Sequence, residues 1–226
     1  MSRSVLFDTE TTGLNPRGGD RVLEVACLEL VRDLPTGRHF HTLIDPERDV
    51  PEDAARVHGI RSAQLQGKPR FAEVAPALLD FLGDGPLVAH NAPFDFGFLD
   101  AELARLGLPP LAPERMVDTL ALARARFPGL PNSLDALCRR FGIDLSERTT
   151  HNALLDCRLL AQVYVELTGG RQRGLELAAV EAGGGPSPDY AAAGPRRVVR
   201  VEPAPEQLAA HAAFLAAKVK DSLWTL

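Results

Sequence analysis

Ser4-Val5-Leu6-Phe7-Asp8-Thr9-Glu10-Thr11-Thr12-Gly13 is the stretch from which the fold is read. An apolar run leads directly into two acids one residue apart. Side chains repeat with period two along a strand, so Asp8 and Glu10 lean to one face and Thr9 to the other. Two acids at the end of an apolar strand repel each other and lose hydration beside a core. A divalent cation relieves both costs, because hard cations take carboxylate oxygens. A turn or cap role is the plainer account of the same pair, and residues elsewhere in the chain must decide between the two.

The chain has 226 residues, 45% of them apolar, enough for one sizeable domain with a surplus or two small ones. Cys27, Cys138 and Cys157 share no CxxC spacing and cannot all pair, so reduced core thiols are expected rather than a disulfide or zinc framework. The run after Met1-Ser2-Arg3 is too short for a signal peptide, and no stretch approaches the roughly 18 apolar residues of a membrane helix. A soluble, cytoplasmic protein is the expectation. The net charge of −5 argues against polybasic nucleic-acid binding. It leaves open an enzyme that grips phosphates through metal ions held by its acids.

After a turn at 14–20, Val22 to Val31 alternates loosely and His39 to Ile44 does the same beyond Pro35-Thr36-Gly37, so the N-terminal third reads as an antiparallel meander. Pro51 to Gly59 predicts a helical turn, and Ala72 to Leu82 a helix with Val74, Leu78, Leu79 and Leu82 on one face. Leu87-Val88-Ala89 predicts a short buried strand leading into His90-Asn91-Ala92-Pro93-Phe94-Asp95 and a helix to about Leu106. Met116 to Thr119 is extended and runs into a helix ending at Phe127. Asn132-Ser133 caps the next helix, closed by Gly142. A last long helix runs from about His151 to Leu167. Glu181 to Pro195 is rich in Gly, Pro and Ala and reads as a flexible linker, with order resuming at Arg197 to Val201 and in a helix from about Pro205.

Acids thus stand at the ends of separate elements: Asp8 and Glu10 on the first strand, Asp95 after the strand Leu87–Ala89, and His151 with Asp156 at the start of the long helix. Ligands of α/β sheets sit at the carboxyl ends of strands, where the first two groups could converge. Five residues along a helix would turn His151 about 140° from Asp156, so both reach one site more easily if His151 precedes the helix. Four acids and a histidine suit phosphodiester hydrolysis with two divalent ions flanking the attacking and leaving oxygens. A histidine titrating near neutrality can take the proton of the attacking water.

These residues resemble a known family. Asp8-Thr9-Glu10, His90-Asn91-Ala92-x-Phe94-Asp95 and His151-x-x-x-x-Asp156 look like the three motifs of the DEDDh 3′–5′ exonucleases. Val57-His58-Gly59-Ile60, Asp118-Thr119-Leu120-Ala121 with Phe127-Pro128-Gly129, and Asn132-Ser133-Leu134-Asp135-Ala136-Leu137-Cys138 further resemble the proofreading (epsilon) subunits of bacterial DNA polymerase III. The resemblance covers Val5 to Gly170 and implies a ribonuclease-H-like mixed five-stranded sheet flanked by helices. It also implies removal of mispaired 3′-terminal nucleotides as monophosphates. By position it makes Asp8, Glu10, Asp95 and Asp156 ligands of two divalent ions, Mg²⁺ or Mn²⁺, and His151 the general base. It places Thr9, Thr11 and Leu14 at the terminal nucleotide, with His58, His90, Asn91 and Phe94 in the pocket. Core or staple roles for Leu14 and Phe94, and loop hydrogen bonding for His58 and His90, are open beside these. His39 and His41 share a strand face without a carboxylate nearby in sequence, which favours a surface or sheet role.

The segment 171–196 follows the domain 1–170. In it, Gln172, Leu175 and Leu177 lie where the family carries a motif for the sliding clamp (beta), here without a closing aromatic. The end of the chain, 197–226, resembles the segment with which these subunits hold the polymerase alpha subunit. Leu208, Ala212, Leu215 and Val219 form a helical stripe, Pro205 suits a first helical turn, and Trp224 has the character of a partner anchor. A proofreading exonuclease acting on single-stranded or mispaired DNA 3′ ends at replication forks is the resulting expectation. Its rivals are a stand-alone DEDDh exoribonuclease and a non-catalytic scaffold joining clamp to polymerase. The linker with two docking segments speaks against the first, and the intact set of acids against the second.

Overall fold

Val5, Leu6 and Phe7 are wholly buried because strand β1, Arg3–Thr11, runs through the middle of a sheet covered on both faces. The computed structural model describes residues 3–146, 148, 150–169 and 203–218, which fall into two units, 3–169 and 203–218. In the first, β2 (Val22–Val31), β3 (Leu34–Leu43), β4 (Leu87–Ala89) and β5 (Met116–Asp118) join β1 in the order β3-β2-β1-β4-β5. The β1–β2 and β2–β3 pairs are antiparallel, whereas β1–β4 and β4–β5 are parallel. This is the mixed five-stranded, ribonuclease-H-like sheet expected from the sequence.

The helices are α1 (Glu52–His58), α2 (Ser62–Leu65), α3 (Phe71–Leu82), α4 (Ala92–Arg105), α5 (Thr119–Arg126), α6 (Leu134–Phe141) and α7 (Ala153–Leu167). Strand periodicity decides which of them each side chain meets. Val5 and Phe7 pack into one core with Leu78 of α3 and Phe96 and Leu99 of α4. Leu6, one residue out of phase, packs on the opposite face with Leu137 of α6 and Leu160 of α7. Asp8 and Glu10 therefore continue the face that looks toward α7, and Thr9 the face that looks toward α4.

The second turn of the meander lies earlier than Pro35-Thr36-Gly37. Arg32 and Asp33, both left-handed at φ 53° and 62°, make a two-residue hairpin that pairs Val31 with Leu34 and Leu30 with Pro35. Pro35 and Gly37 sit inside β3, which tolerates them because it is the edge strand. Helix α2 carries too little periodicity to be expected from sequence. All three cysteines are buried free thiols.

Two capping devices fix the loops that carry the acids. Asn91, left-handed at φ 67°, joins β4 to α4, a conformation Asn adopts at small cost. One Oδ1 oxygen of Asp118 accepts the N–H groups of Asn91 (3.0 Å), Ala92 (3.2 Å) and Leu120 (3.0 Å), capping α4 and α5 together. At the far end of α4, buried Glu102 takes a two-pronged ion pair from Arg21 at 2.7 and 3.0 Å and the N–H of Val22 at 3.2 Å.

In the second unit, α8 spans Pro205–Lys218 with Pro205 at its first position, and none of its residues is buried. Leu208 and Leu215 lie two turns apart on it. Gln172, Leu175, Leu177, Val219, Trp224 and the stretch 197–201 lie outside the described residues.

Glu102→Ala takes from the Val22 N–H its acceptor and from the mostly buried Arg21 guanidinium its two-pronged partner, leaving it only the Pro46 carbonyl and the more distant Glu47. The expected loss is about 3–5 kcal/mol in urea denaturation, and a loss below about 1 kcal/mol would show that the pair is dispensable.

Candidate active site

The C-terminal half of β1 is where carboxylates from three elements meet. Asp8 and Glu10 project toward α7. Asp156 projects back from the first turn of α7, and the ligand atoms of Glu10, Asp156 and His151 all lie within 4.8 Å of one another. Asp95 comes from the first turn of α4, in the other layer. Its Oδ1 accepts both the backbone N–H (3.0 Å) and the hydroxyl (2.8 Å) of Thr9. The register of β1 thus sorts the acids, two reaching one layer directly and the intervening threonine fastening a third from the other.

Helix α7 begins at Ala153, two residues later than the apolar pattern suggests, so His151 precedes it on a non-helical segment, the arrangement that the angular argument favours. Asn152 caps the helix through the N–H of Leu155. The His151 backbone N–H donates to the carbonyl of Val57 at 3.2 Å, and its ring is half exposed with Nδ1 3.3 Å from Asp156 Oδ2.

The chain supplies less positive charge than these acids require. Burial, then the charges of Asp95, Glu10, Asp156 and Glu24, hold the Asp8 carboxyl well above the usual range. Burial and the neighbouring Glu24, Asp156 and Asp95 push Glu10 up to about 8, with Arg148 opposing. Burial raises Asp95 to about 7 against the two hydrogen bonds from Thr9. Asp156 alone moves the other way: burial would raise it, but hydrogen bonds and charge from Arg148 and His151 hold it below the ordinary value. Acids so placed take protons unless a cation arrives. An all-oxygen donor set with one imidazole fits a hard divalent ion.

A cavity of about 770 Å³ opens over this cluster, with Asp8, His90, Leu130, Arg148, His151 and Asp156 on its wall. His90 Nδ1 lies 2.9 Å from the Thr119 hydroxyl, and burial lowers its pKa. His58 is buried, which also lowers its pKa. Its Nδ1 accepts the Ile60 N–H at 3.0 Å, so the ring proton sits on Nε2, which has no hydrogen-bond partner among the described residues. Leu14 is 84% exposed rather than part of the core. Phe94 packs half-buried against Phe98, and Asn91 is exposed at the left-handed turn. The Thr11 hydroxyl donates to the Gly13 carbonyl at 2.6 Å.

Three contributors went unread in the sequence. Glu24 of β2 stands opposite Glu10 and accepts from Asn152 Nδ2 (3.1 Å), the Ala153 N–H (3.3 Å) and His41 Nε2 (2.6 Å). It anchors the start of α7 and gives His41 the carboxylate that its own strand lacks. The signal was an acid, one of two with Glu29, inside a run whose other residues are apolar. Asp118 caps two helices, and Arg148 grips Asp156. Neither announces itself by spacing.

Residues 5–164 match the Exonuclease family (RNase T). Subunit epsilon of DNA polymerase III from Rickettsia felis is 44% identical over 225 residues, which cover 97% of this chain and 98% of that protein. The same subunit from Escherichia coli is 45% identical over 178 residues, 76% of this chain and 73% of that one. Among solved structures, exonuclease X in complex with 5′-overhanging duplex DNA superposes with a TM-score of 0.59 at 27% identity, covering 74% of this chain and 91% of that one. The chain belongs to this exonuclease family, among the epsilon subunits of DNA polymerase III, and is a metal-dependent 3′–5′ exonuclease.

Proposed function

We propose that the chain proofreads DNA synthesis by hydrolysing the 3′-terminal phosphodiester and releasing deoxynucleoside monophosphates. One observation carries the reading. Asp8, Glu10, Asp95 and Asp156 crowd one end of β1, and the acids without a partner arginine are held above their ordinary pKa. That arrangement is costly by itself and is relieved by bound cations. Two divalent ions held by these four carboxylates, Mg²⁺ or Mn²⁺, would supply Lewis acidity and lower the pKa of the attacking water. Asp8 feels the charges of both Asp95 and Asp156, which suits the role toward both ions that the family resemblance gives it.

The remaining roles fall to the chain's own groups. His151, half exposed beside the cluster with Nδ1 turned to Asp156, keeps Nε2 to take the water's proton. The exposed side chain of Leu14 is free to meet a nucleotide, whereas Nε2 of His58 is buried and meets one only if the wall around it moves. His90 lines the cavity, and Asn91 and Phe94 follow it at the β4–α4 turn and the start of α4. Thr9 acts through Asp95, which it holds in place, and Thr11 through the turn that presents Leu14. Association with the polymerase alpha subunit through 197–226, and with the sliding clamp through Gln172, Leu175 and Leu177, rests on full-length similarity to the Rickettsia felis subunit and on the exposed helix α8. The division at 170/171 and 196/197 and a place at replication forks belong to the same proposal.

The raised acids give a signed dependence on pH. A carboxyl whose folded pKa exceeds its unfolded value of about 4 contributes stability below that value and loses it as pH rises through the folded pKa. For Glu10 and Asp95 the window runs from about 4 to about 7–8. His58 and His90, lowered by burial, act in the opposite sense but are common to wild type and variant. The metal-free melting temperature of Asp8→Asn should therefore exceed that of wild type by a margin that widens from pH 5 to pH 8, while its nuclease activity falls more than about 100-fold. A margin independent of pH would refute the charge-crowding account.

Substrate and partners are tested together. Mononucleotides should appear fastest from DNA with single-stranded or mispaired 3′ ends, and equal or faster digestion of matched RNA would turn the reading to an exoribonuclease. Removing 198–226 should spare activity on free DNA and abolish binding to the polymerase alpha subunit. Undiminished binding would place that contact elsewhere.

A further inference from the structure

Arg148 lies on the segment between α6 and α7 with its side chain only 9% exposed. Its guanidinium faces the site already described. Nε donates to Asp156 Oδ1 at 2.6 Å and Nη2 to Asp156 Oδ2 at 2.7 Å, a fork that occupies both oxygens of the carboxylate. Nη2 also stands 3.0 Å from His151 Nδ1, and Nη1 reaches Asp135 of α6 at 2.5 Å. Glu10 and Asp8 both feel its charge. The guanidinium thus sits where the oxygens of Asp156, Glu10 and the ring of His151 converge.

We propose that Arg148 is the resident counter-ion of the metal-free site, and that a divalent cation binds Asp156 only by displacing the guanidinium from it. The inference rests on the assignment of Asp156 as a metal ligand. Two arguments set the two occupancies against each other. A carboxylate whose two oxygens both accept from one guanidinium plane has no in-plane lone pair left toward the same side. A divalent ion and a guanidinium also repel strongly at such separations where water is scarce. Asp135, more than a third exposed and already bound to Nη1, gives the arginine an anchor that survives the exchange. The motion needed is a rotation of the side chain about a contact it keeps.

The exchange makes Arg148 a tuner of metal affinity. While it holds Asp156, only the fraction of molecules with the fork open binds the ion, and apparent affinity is reduced by that fraction. The experiment is Mn²⁺ binding to the full chain without DNA, followed by electron paramagnetic resonance, for wild type, Arg148→Gln, Arg148→Lys and Asp156→Asn. Arg148→Gln should bind Mn²⁺ about tenfold more tightly than wild type, with Arg148→Lys in between, since an ammonium cannot reproduce the fork. In EDTA, Arg148→Gln should melt below wild type, and saturating Mn²⁺ should raise its melting temperature by more than it raises that of wild type. Unchanged or weaker Mn²⁺ binding by a folded Arg148→Gln or Arg148→Lys would overturn the proposal. That holds also if DNA binding falls, which would make Arg148 a phosphate contact instead. Asp156→Asn separates the two levels: if it binds Mn²⁺ as wild type does, the ligand assignment itself fails, whatever the arginine variants do.

Discussion

Five carboxylates, Asp8, Glu10, Glu24, Asp95 and Asp156, face one another around the C-terminal half of β1, close enough that each raises the cost of ionising another. Like charges in a desolvated place demand a cation, a proton or a partner arginine, and the chain uses different answers for different members. Asp156 takes Arg148. Asp95 takes two hydrogen bonds from Thr9, and Glu24 takes His41 and the start of α7. Among the described residues Asp8 and Glu10 show no such hydrogen-bonded partner, so the need for external positive charge concentrates on the strand that carries them.

Delivering these groups to one point requires both layers of the fold. β1 can present acids to α7 only on alternate residues, and the intervening position must face α4. Thr9 turns that restriction to use by fastening Asp95 from the other layer. A one-residue slip of β1 would send Asp8 and Glu10 into the α4 side and Thr9 to α7, losing every one of these contacts. The register is protected by the two cores, since Val5 and Phe7 would have to exchange places with Leu6. Opposite Glu10 and Thr11 the register shifts, Thr11 pairing with Val22 so that Leu23 of β2 is the extra residue of a bulge just past the acids. The packing of the sheet and the geometry of the site are therefore one constraint.

What the sequence revealed follows from the range of the forces involved. The faces of Asp8, Thr9 and Glu10, the limits of β2 and β4, and the caps at Ser133 and Gly142 are local and were legible. Helix geometry favoured a place for His151 ahead of α7, although the apolar pattern had put the helix start at about His151. The β2–β3 turn was misplaced because Pro35 and Gly37 are turn formers in most settings, and only the edge position of β3 makes them strand residues. Arg32-Asp33 lacks the glycine that usually marks such a hairpin. Glu24, Asp118 and Arg148 act across separations of 8 to 129 residues, so no pattern within a helix or strand announces them. Glu24 was nonetheless readable as an anomaly, one of two acids, with Glu29, in a strand whose other buried side chains are apolar. Arg148 was not, since an arginine in a polar loop has no expected partner until the fold supplies one.

The uneven treatment of the acids also bears on how such a site remains both stable and useful. Had every carboxylate an arginine, the metal-free chain would be comfortable and a cation would gain little by entering. Had none, the five acids would crowd with only Thr9, His41 and the start of α7 to relieve them. One arginine on one acid is the intermediate case: the cluster is tolerable without metal, yet Asp8, Glu10 and Asp95 retain an electrostatic cost that bound cations remove. That cost is the source of affinity, because only a free-energy difference between the empty and filled forms can favour binding. The same argument explains why Thr9 donates to Asp95 through its backbone and hydroxyl rather than a basic side chain reaching it. Neutral donors orient the carboxylate without supplying the charge that a cation must bring.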